Sequence, residues 1–504
     1  MLKDITLGQY LPGKSLVHQL DPRTKILLVV LYIVALFCAN SLLAYGILAL
    51  VLAVCAFPVF TMPLFGETAS TEKRELAAFP RLTKEGEGLN LAFFSELNTY
   101  LSEHFSFRSQ LVTADSVAKA SLFGTSSEDQ VIVGTDGWLY FEKTMDDYWG
   151  RNVLDERGTA RLARTVELMQ EYVQGQGAAF AFAVVPNKNT VYPEHMPYYT
   201  LKMPDPTNRE RLAAALGPRS YVTDLTAVLR APGELLYHKR DSHWNTLGAL
   251  AGYNAVMDTL GLPHEDYADT PRSVQRIWDG DLDAMLDPGL GRKDDQVVLD
   301  TTWHYRYTSS FRSEEDITIT TENDRGTGRL LMFRDSFGNA VLPFFAQAFR
   351  EAEFSRAVPY RLDLTAARQA DAVVVEIVER NLPDLTVRAP VMPAPRRDPP
   401  ADAPADGSAA ARIKTRTSHG FLHVYGELDA RYSGSTAVYL RAGGVGYEAF
   451  PIREEALLGE GEGAGFSAYL PPEAADGPIE LLAEQDGTVT VLGTIQPAHE
   501  ATGD

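Results

Sequence analysis

Cysteine is almost missing. Cys38 and Cys55 are the only two in 504 residues, and both fall in one apolar stretch near the N-terminus. The rest of the chain therefore has no means of forming a disulfide or a thiolate metal site. The redox compartment stays open, because a chain of this length supports a core without disulfides. Positive charge is also scarce: 46 Lys and Arg stand against 67 Asp and Glu, for a formal net charge of −21. That argues against nucleic acid or a polyanionic surface as the main partner, since both reward cations.

Residues 1–66 run against this trend, with Lys3, Lys14, Arg23 and Lys25 facing Asp4 and Asp21. From Ile26 to Phe65 there is no charged side chain at all. A membrane span needs roughly 20 apolar residues, so this run reads as one tilted transmembrane helix or a hairpin of two. It is too long for a secretory h-region. The cations before it favour a cytoplasmic N-terminus. One span then places the remainder outside the cell, whereas two return it to the cytoplasm. Asn40-Ser41 and Tyr45-Gly46 are candidate turns for such a hairpin, or helix residues.

What is present beyond residue 66 is a stalk-like polar stretch, then alternating helix and strand patterns. Val131–Val133 and Trp138–Phe141 flank Gly134-Thr135-Asp136-Gly137, a hairpin signal. The spacing predicts helices near Thr159–Gln174, Thr246–Leu260 and Gly338–Arg350, the second capped by Asn245. Continuous apolar runs at Ala178–Val185, Leu330–Phe333 and Ala372–Val378 predict strands buried on both faces. That pattern is an α/β fold: a parallel sheet with helices on both faces. Residues 388–411, rich in Pro, Ala and Asp, read as a linker. Short alternating runs beyond it predict a small C-terminal β-sandwich over 412–504.

Two stretches carry chemistry. Ser336 ends an apolar strand and precedes a helix opened by Gly338, so its hydroxyl projects near free helix-start N–H groups. Capping serines are abundant, and a strand-Asp-Ser-helix by itself reads more readily as a cap. Asp241 and His243 stand two apart, and in an extended segment both face the same way. A lone Asp-x-His also fits a solvated turn or part of a metal site, although no further cluster with ligand spacing supports a metal. Together the stretches supply attacking hydroxyl, general base and orienting acid. Asn187, Arg334 and Asn339 are candidate oxyanion or substrate contacts. Trp244 is a packing residue more readily than a sugar platform.

Asp241-Ser242-His243-Trp244, Gly280-Asp281-Leu282, Arg334-Asp335-Ser336-Phe337-Gly338-Asn339 and Glu376-Ile377-Val378-Glu379-Arg380-Asn381 resemble the bacterial DHHW family. That family is related to the SGNH-hydrolase-like alginate O-acetyltransferases. The resemblance spans about residues 67–387 and implies an SGNH-type α/β domain. It further implies a membrane anchor and an outward-facing catalytic domain; no cofactor is expected. A membrane-bound O-acyltransferase would be the acetyl donor, and a cell-envelope polysaccharide the acceptor. Carried over by residue, it makes Ser336 the nucleophile, His243 the base and Asp241 its orienting acid. Ser242 stands where the family name has a second His, a departure expected to matter little if that position points away from the site. Rival readings are a carbohydrate esterase and a non-catalytic glycan-binding protein.

Met1–Phe57 is similar to the N-terminus of the transmembrane subunit of energy-coupling-factor vitamin transporters. Only the start of that protein is covered, so transport is not implied and the chain reads as a fusion. The expected division is an anchor at 1–66, a catalytic domain at 67–387, the linker and the sandwich.

Overall fold

The structure, a computed structural model, describes residues 41–66, 76–84, 88–114 apart from 91 and 109, and 128–497 apart from 231–232, 288–289, 460 and 462, with positions 30, 34, 37 and 38. The basic residues that bear on orientation, and the first part of the expected stalk, lie outside these.

The apolar N-terminal run is interrupted at Ser41, whose hydroxyl accepts from the Ala44 N–H and starts helix α1 (Leu42–Phe60). Tyr45-Gly46 lies within α1, whose side chains are mostly exposed. A separate single turn, Met62–Phe65, follows. Among the described residues, no helix is long and apolar enough to cross a membrane. Most of residues 26–40, the first part of the expected transmembrane run, lies outside the described residues.

The body of the chain begins with the hairpin β1 (Val131–Val133) and β2 (Leu139–Phe141), closed by Asp136 and Gly137 at positive φ. Helix α2 (Glu156–Gly175) leads to β3 (Ala179–Val185) and the short β4 (Val222–Thr223). Helix α3 (Thr246–Leu260) follows, capped by the Asn245 side chain, which accepts from the Leu247 and Gly248 N–H groups. A projecting antiparallel pair, β5 (Arg272–Trp278) and β6 (Asp294–Leu299), comes next. Then come β7 (Arg306–Tyr307), β8 (Thr318–Glu322), β9 (Arg329–Phe333), α4 (Gly338–Ala348), β10 (Glu351–Ser355) and β11 (Ala372–Val378).

Seven of these strands form one sheet in the order β4-β3-β11-β9-β10-β8-β7. The five from β4 to β10 are parallel. The last two, β8 and β7, run antiparallel at the edge; Thr and Glu residues interrupt their apolar pattern, which hid them from a search for buried strands. Alternation along the central strands sorts the core onto two faces. Phe180, Phe182, Leu331, Phe333, Val373 and Val375 pack with α2. On the other face Ala181, Ala183, Leu330, Met332 and Val374 pack with α3 and α4. Burial on both sides is why these strands read as unbroken apolar runs. It also leaves only their carboxyl ends open for polar groups, as in other open α/β sheets.

Residues 388–411 do not form the expected free linker. Ala389, Val391, Met392 and Ala394 are buried, and Arg396–Arg397 pairs with Val445–Ala449. A Pro- and Ala-rich stretch needs no internal helix or strand to pack when neighbouring sheets cover it. Arg396–Arg397 is thereby the edge strand of a five-stranded sheet, which shares an apolar core with a three-stranded one. Arg164 of α2 donates from Nε and Nη2 to buried Glu448, at 2.8 Å each. This ties the C-terminal sheets to the α/β body.

Candidate active site

Three segments leave the sheet at neighbouring carboxyl ends: Pro186-Asn187-Lys188 after β3, Arg334 to Phe337 after β9, and Glu379-Arg380 after β11. The β9 exit turns sharply into α4. A Cβ on Gly338 would come within 2.6 Å of the Arg334 side chain, so only glycine allows the turn. Asp335 fixes it, accepting from the Phe337 N–H at 2.9 Å and the Val378 N–H at 2.8 Å. Ser336 does not cap α4: the N-cap is Phe337, without a side-chain hydrogen bond. The half-buried hydroxyl instead lies 2.8 Å from His243 Nε2.

His243 sits in a tight loop rather than the expected extended segment. The loop is closed by a Tyr237–Trp244 bridge, and the Asn245 N–H donates to the Leu236 carbonyl. The Asp241 carboxylate accepts both the main-chain N–H of His243, at 2.9 Å, and its Nδ1, at 2.7 Å. With Nδ1 as donor, Nε2 is left to accept from Ser336. The other carboxylate oxygen accepts from Trp278 Nε1 at 2.9 Å and the Asp281 N–H at 3.1 Å. Asp241 is thus fully engaged. Gly280 permits the approach of Asp281, because a Cβ there would lie 2.3 Å from the Arg240 carbonyl oxygen.

Ser242 does not point away. Its hydroxyl donates to Asp281 Oδ2 at 2.6 Å and lies 3.2 Å from His243 Nδ1. Asp241, His243 and Asp281 bring one ligand atom each within 4.8 Å of one another, a third member that ligand spacing did not reveal. Hydrogen bonds among these residues and Ser242 account for the grouping.

Burial opposes ionisation of Asp241, but the facing imidazole and its hydrogen bonds outweigh it and hold the carboxyl well below its usual range. Burial likewise opposes charge on His243. The Asp241 charge and hydrogen bond, with Asp281 behind, outweigh it and raise the imidazole pKa. Asp281 is pushed upward by burial and by the charge on Asp241.

The expected contact residues are differently placed. Asn187 is fully buried, with its amide donating to Asp147 and its main-chain N–H to Glu379. Trp244 is buried in the core and donates to the Phe337 carbonyl at 3.0 Å. Arg334 is 2 % exposed and donates to the Asp335 and Glu314 carbonyls and to Asn339 Oδ1. The Asn339 amide goes on to Glu315 at 2.7 Å. These four side chains support the walls of the site.

Sequence reasoning passed over Lys188. Its fully buried ammonium donates to the carbonyls of Leu139, Lys239 and Asp241 at 2.7, 2.8 and 2.9 Å. Burial lowers its pKa to about 7. The Pro-Asn-Lys turn carried the signal, since a lysine immediately after a buried strand needs acceptors. Asp281, 40 residues from Asp241, stood in the Gly280-Asp281-Leu282 motif without an assigned role, and Trp278, 37 residues away, had no local signal.

A hydroxyl, an imidazole and a carboxylate in one relay at the carboxyl ends of a parallel sheet are the groups that serine acyl transfer requires. Residues 131–315 match the family described as "SGNH hydrolase-like domain, acetyltransferase AlgX". Asp241 and His243 lie inside the matched stretch and Ser336 beyond it.

Among solved structures, a DHHW family protein from Eubacterium siraeum is 19% identical, with a TM-score of 0.36 over 50% of this chain and 94% of that one. PatB1 from Bacillus cereus is 16% identical, with a TM-score of 0.40 over 50% and 96%. The N-terminal region is 69% identical over 48 residues to the energy-coupling factor transporter transmembrane protein EcfT of Acidaminococcus fermentans. That match covers 10% of this chain and 18% of the transporter subunit, so the chain spans under a fifth of that relative.

Two predictions follow from the local chemistry. A general base must be neutral, and a raised pKa delays neutrality to higher pH. kcat/KM should therefore rise with pH through a midpoint above the free-histidine value of about 6.5. Asp241→Asn should move that midpoint down and lower kcat by roughly 10⁴-fold. An unchanged midpoint in pH–rate profiles of the variant would refute the coupling. Lys188→Met strands three carbonyls and should cost about 3 kcal/mol or more, read as a lower denaturant midpoint; an unchanged midpoint would show that the ammonium is dispensable.

Proposed function

We propose that the protein is an O-acetyltransferase that moves an acetyl group through an ester on Ser336 to a hydroxyl of a cell-envelope polysaccharide. The observation that carries this is the 2.8 Å contact between Ser336 and His243 Nε2, with Nδ1 of the same ring held by Asp241. The match to an AlgX-type acetyltransferase domain supports acetyl as the group moved.

In this mechanism Ser336 Oγ attacks the acetyl carbonyl while His243 Nε2 takes its proton. The imidazolium returns that proton to the leaving oxygen as the donor ester breaks. Asp241 stays ionised and keeps the ring oriented throughout. In the second half His243 removes a proton from the acceptor hydroxyl, which attacks the seryl ester; the bond from the acetyl carbon to Ser336 Oγ then breaks and Oγ takes the proton back from His243. Transfer then depends on the sugar hydroxyl reaching the ester ahead of water. The acetyl source is a membrane-bound O-acyltransferase partner, and the strongly acidic chain favours a neutral glycan.

The catalytic body spans 67–387 and is held at the membrane by the N-terminal region, facing outward. The 48-residue similarity to a transporter transmembrane protein supports that anchor. The C-terminal sheets form an accessory module.

Full-length protein incubated with an acetyl-ester donor and a neutral oligosaccharide should yield acetylated sugar by mass spectrometry. Ser336→Ala should lower the yield by about 10³-fold or more. Acetate released at the same rate with and without sugar, and no acetylated product, would identify an esterase instead. Protease added to intact cells should trim the catalytic body; complete protection would place it inside and refute the outward orientation.

A further inference from the structure

The oxyanion that forms when Ser336 attacks an acetyl group needs hydrogen-bond donors, and most of those nearby are already engaged. The Phe337 N–H is held by the Asp335 carboxylate. The N–H groups of Asn339 and Ala340 donate to the Ser336 and Phe337 carbonyls. The amides of Asn187 and Asn339 are committed to Asp147 and Glu315. Arg334 is buried and turned toward carbonyls behind the site. Trp278 and Ser242 serve the two aspartates.

Arg380 stands apart from all of these. It is the second residue after β11, and its guanidinium lies 5.7 Å from the Phe337 ring and 5.4 Å from the Phe141 ring. The His243 ring packs on the same Phe337 ring, with centroids 4.7 Å apart. A guanidinium offers five N–H donors. None of those on Arg380 meets a hydrogen-bond or ion-pair partner among the described residues, although the side chain is half-buried. Burial works against its charge, and Asp335, Asp281 and Asp147 sustain it from a distance. An arginine serving only the fold at such a place would be paired, because an unpaired buried cation is costly.

We infer that Arg380 is a catalytic residue whose guanidinium, with the Ser336 N–H, receives the oxyanion at the acyl carbon. This rests on the acyl-transfer reading of the site. As the Oγ–C bond forms, the carbonyl π pair moves onto oxygen and the hydroxyl proton passes to His243 Nε2. The negative charge then faces the guanidinium. On collapse the pair returns, the bond to the leaving oxygen breaks, and that oxygen takes the proton from His243. The same charge reappears when the acceptor hydroxyl attacks the seryl ester, so Arg380 acts in both halves.

The test uses full-length protein and a fluorophosphonate probe, whose adduct on Ser336 is tetrahedral and places a phosphoryl oxygen where the oxyanion would sit. Labelling is followed by intact mass, beside acetyl transfer from an ester donor. Arg380→Gln should slow both by about 10²–10³-fold, chiefly in kcat, with thermal stability unchanged, and Arg380→Lys should fall between. Millimolar guanidinium should restore part of the rate of Arg380→Ala, whereas tetramethylammonium should not; a purely structural loss would respond to neither. If Arg380→Gln labels at the parent rate, the assignment is overturned. A parent that labels, slows on substitution and yet transfers no acetyl group would support Arg380 while refuting the acetyltransferase reading.

Discussion

The site depends on one buried carboxylate remaining ionised. Asp241 is 1 % exposed, a position that by itself would favour the neutral acid. Four donors reverse that preference: the imidazole Nδ1 and main-chain N–H of His243, the Trp278 indole and the Asp281 N–H. Once charged, Asp241 sets the tautomer of His243 and so decides that Nε2 faces Ser336 as an acceptor. The donors come from separate segments, a loop before α3, the end of β5 and the start of a short helix at Asp281. The orientation of one ring thus records the packing of several elements against the sheet.

The large-scale frame was legible because it obeys simple periodicities. Ala179–Val185 and Ala372–Val378 are unbroken apolar runs since helices cover both of their faces, and α3 begins where Asn245 supplies an acceptor for two N–H groups. The two chemical stretches were legible from their spacing and from the sharp turn that Gly338 permits. The groups that hold Asp241 from behind were not. Gly280-Asp281-Leu282 was marked by resemblance, but its contact with Asp241 and that of Trp278 were not, because those contacts are made by tertiary packing across some 40 residues. Ser242 was misjudged for a related reason: extended geometry would send it to the opposite side, whereas the bend at 241–243 brings its hydroxyl beside the same imidazole. The stretch at 388–411 shows the limit of composition, since its residues are buried by neighbours rather than by any pattern of their own.

The position of Asp335 has a consequence for catalysis. Its carboxylate joins the turn after β9 to the end of β11 by accepting from Phe337 and Val378. Glu376, buried beside it and pushed well above its usual pKa by burial and by Asp335, accepts the Asp335 N–H. This arrangement stiffens the turn that presents Ser336, and in the proposed mechanism a rigidly held hydroxyl loses less on reaching the attack geometry. The same arrangement removes the Phe337 N–H from the donors that a helix start would ordinarily offer to an oxyanion. In the proposed mechanism the Ser336 N–H then needs a partner donor from outside the turn. The nearest strand that leaves the sheet beside it is β11, which Asp335 itself holds in place, and Arg380 lies two residues past its end. In the proposed mechanism the bond that fixes the Ser336 turn also fixes the end of β11, two residues before the cation assigned to the oxyanion.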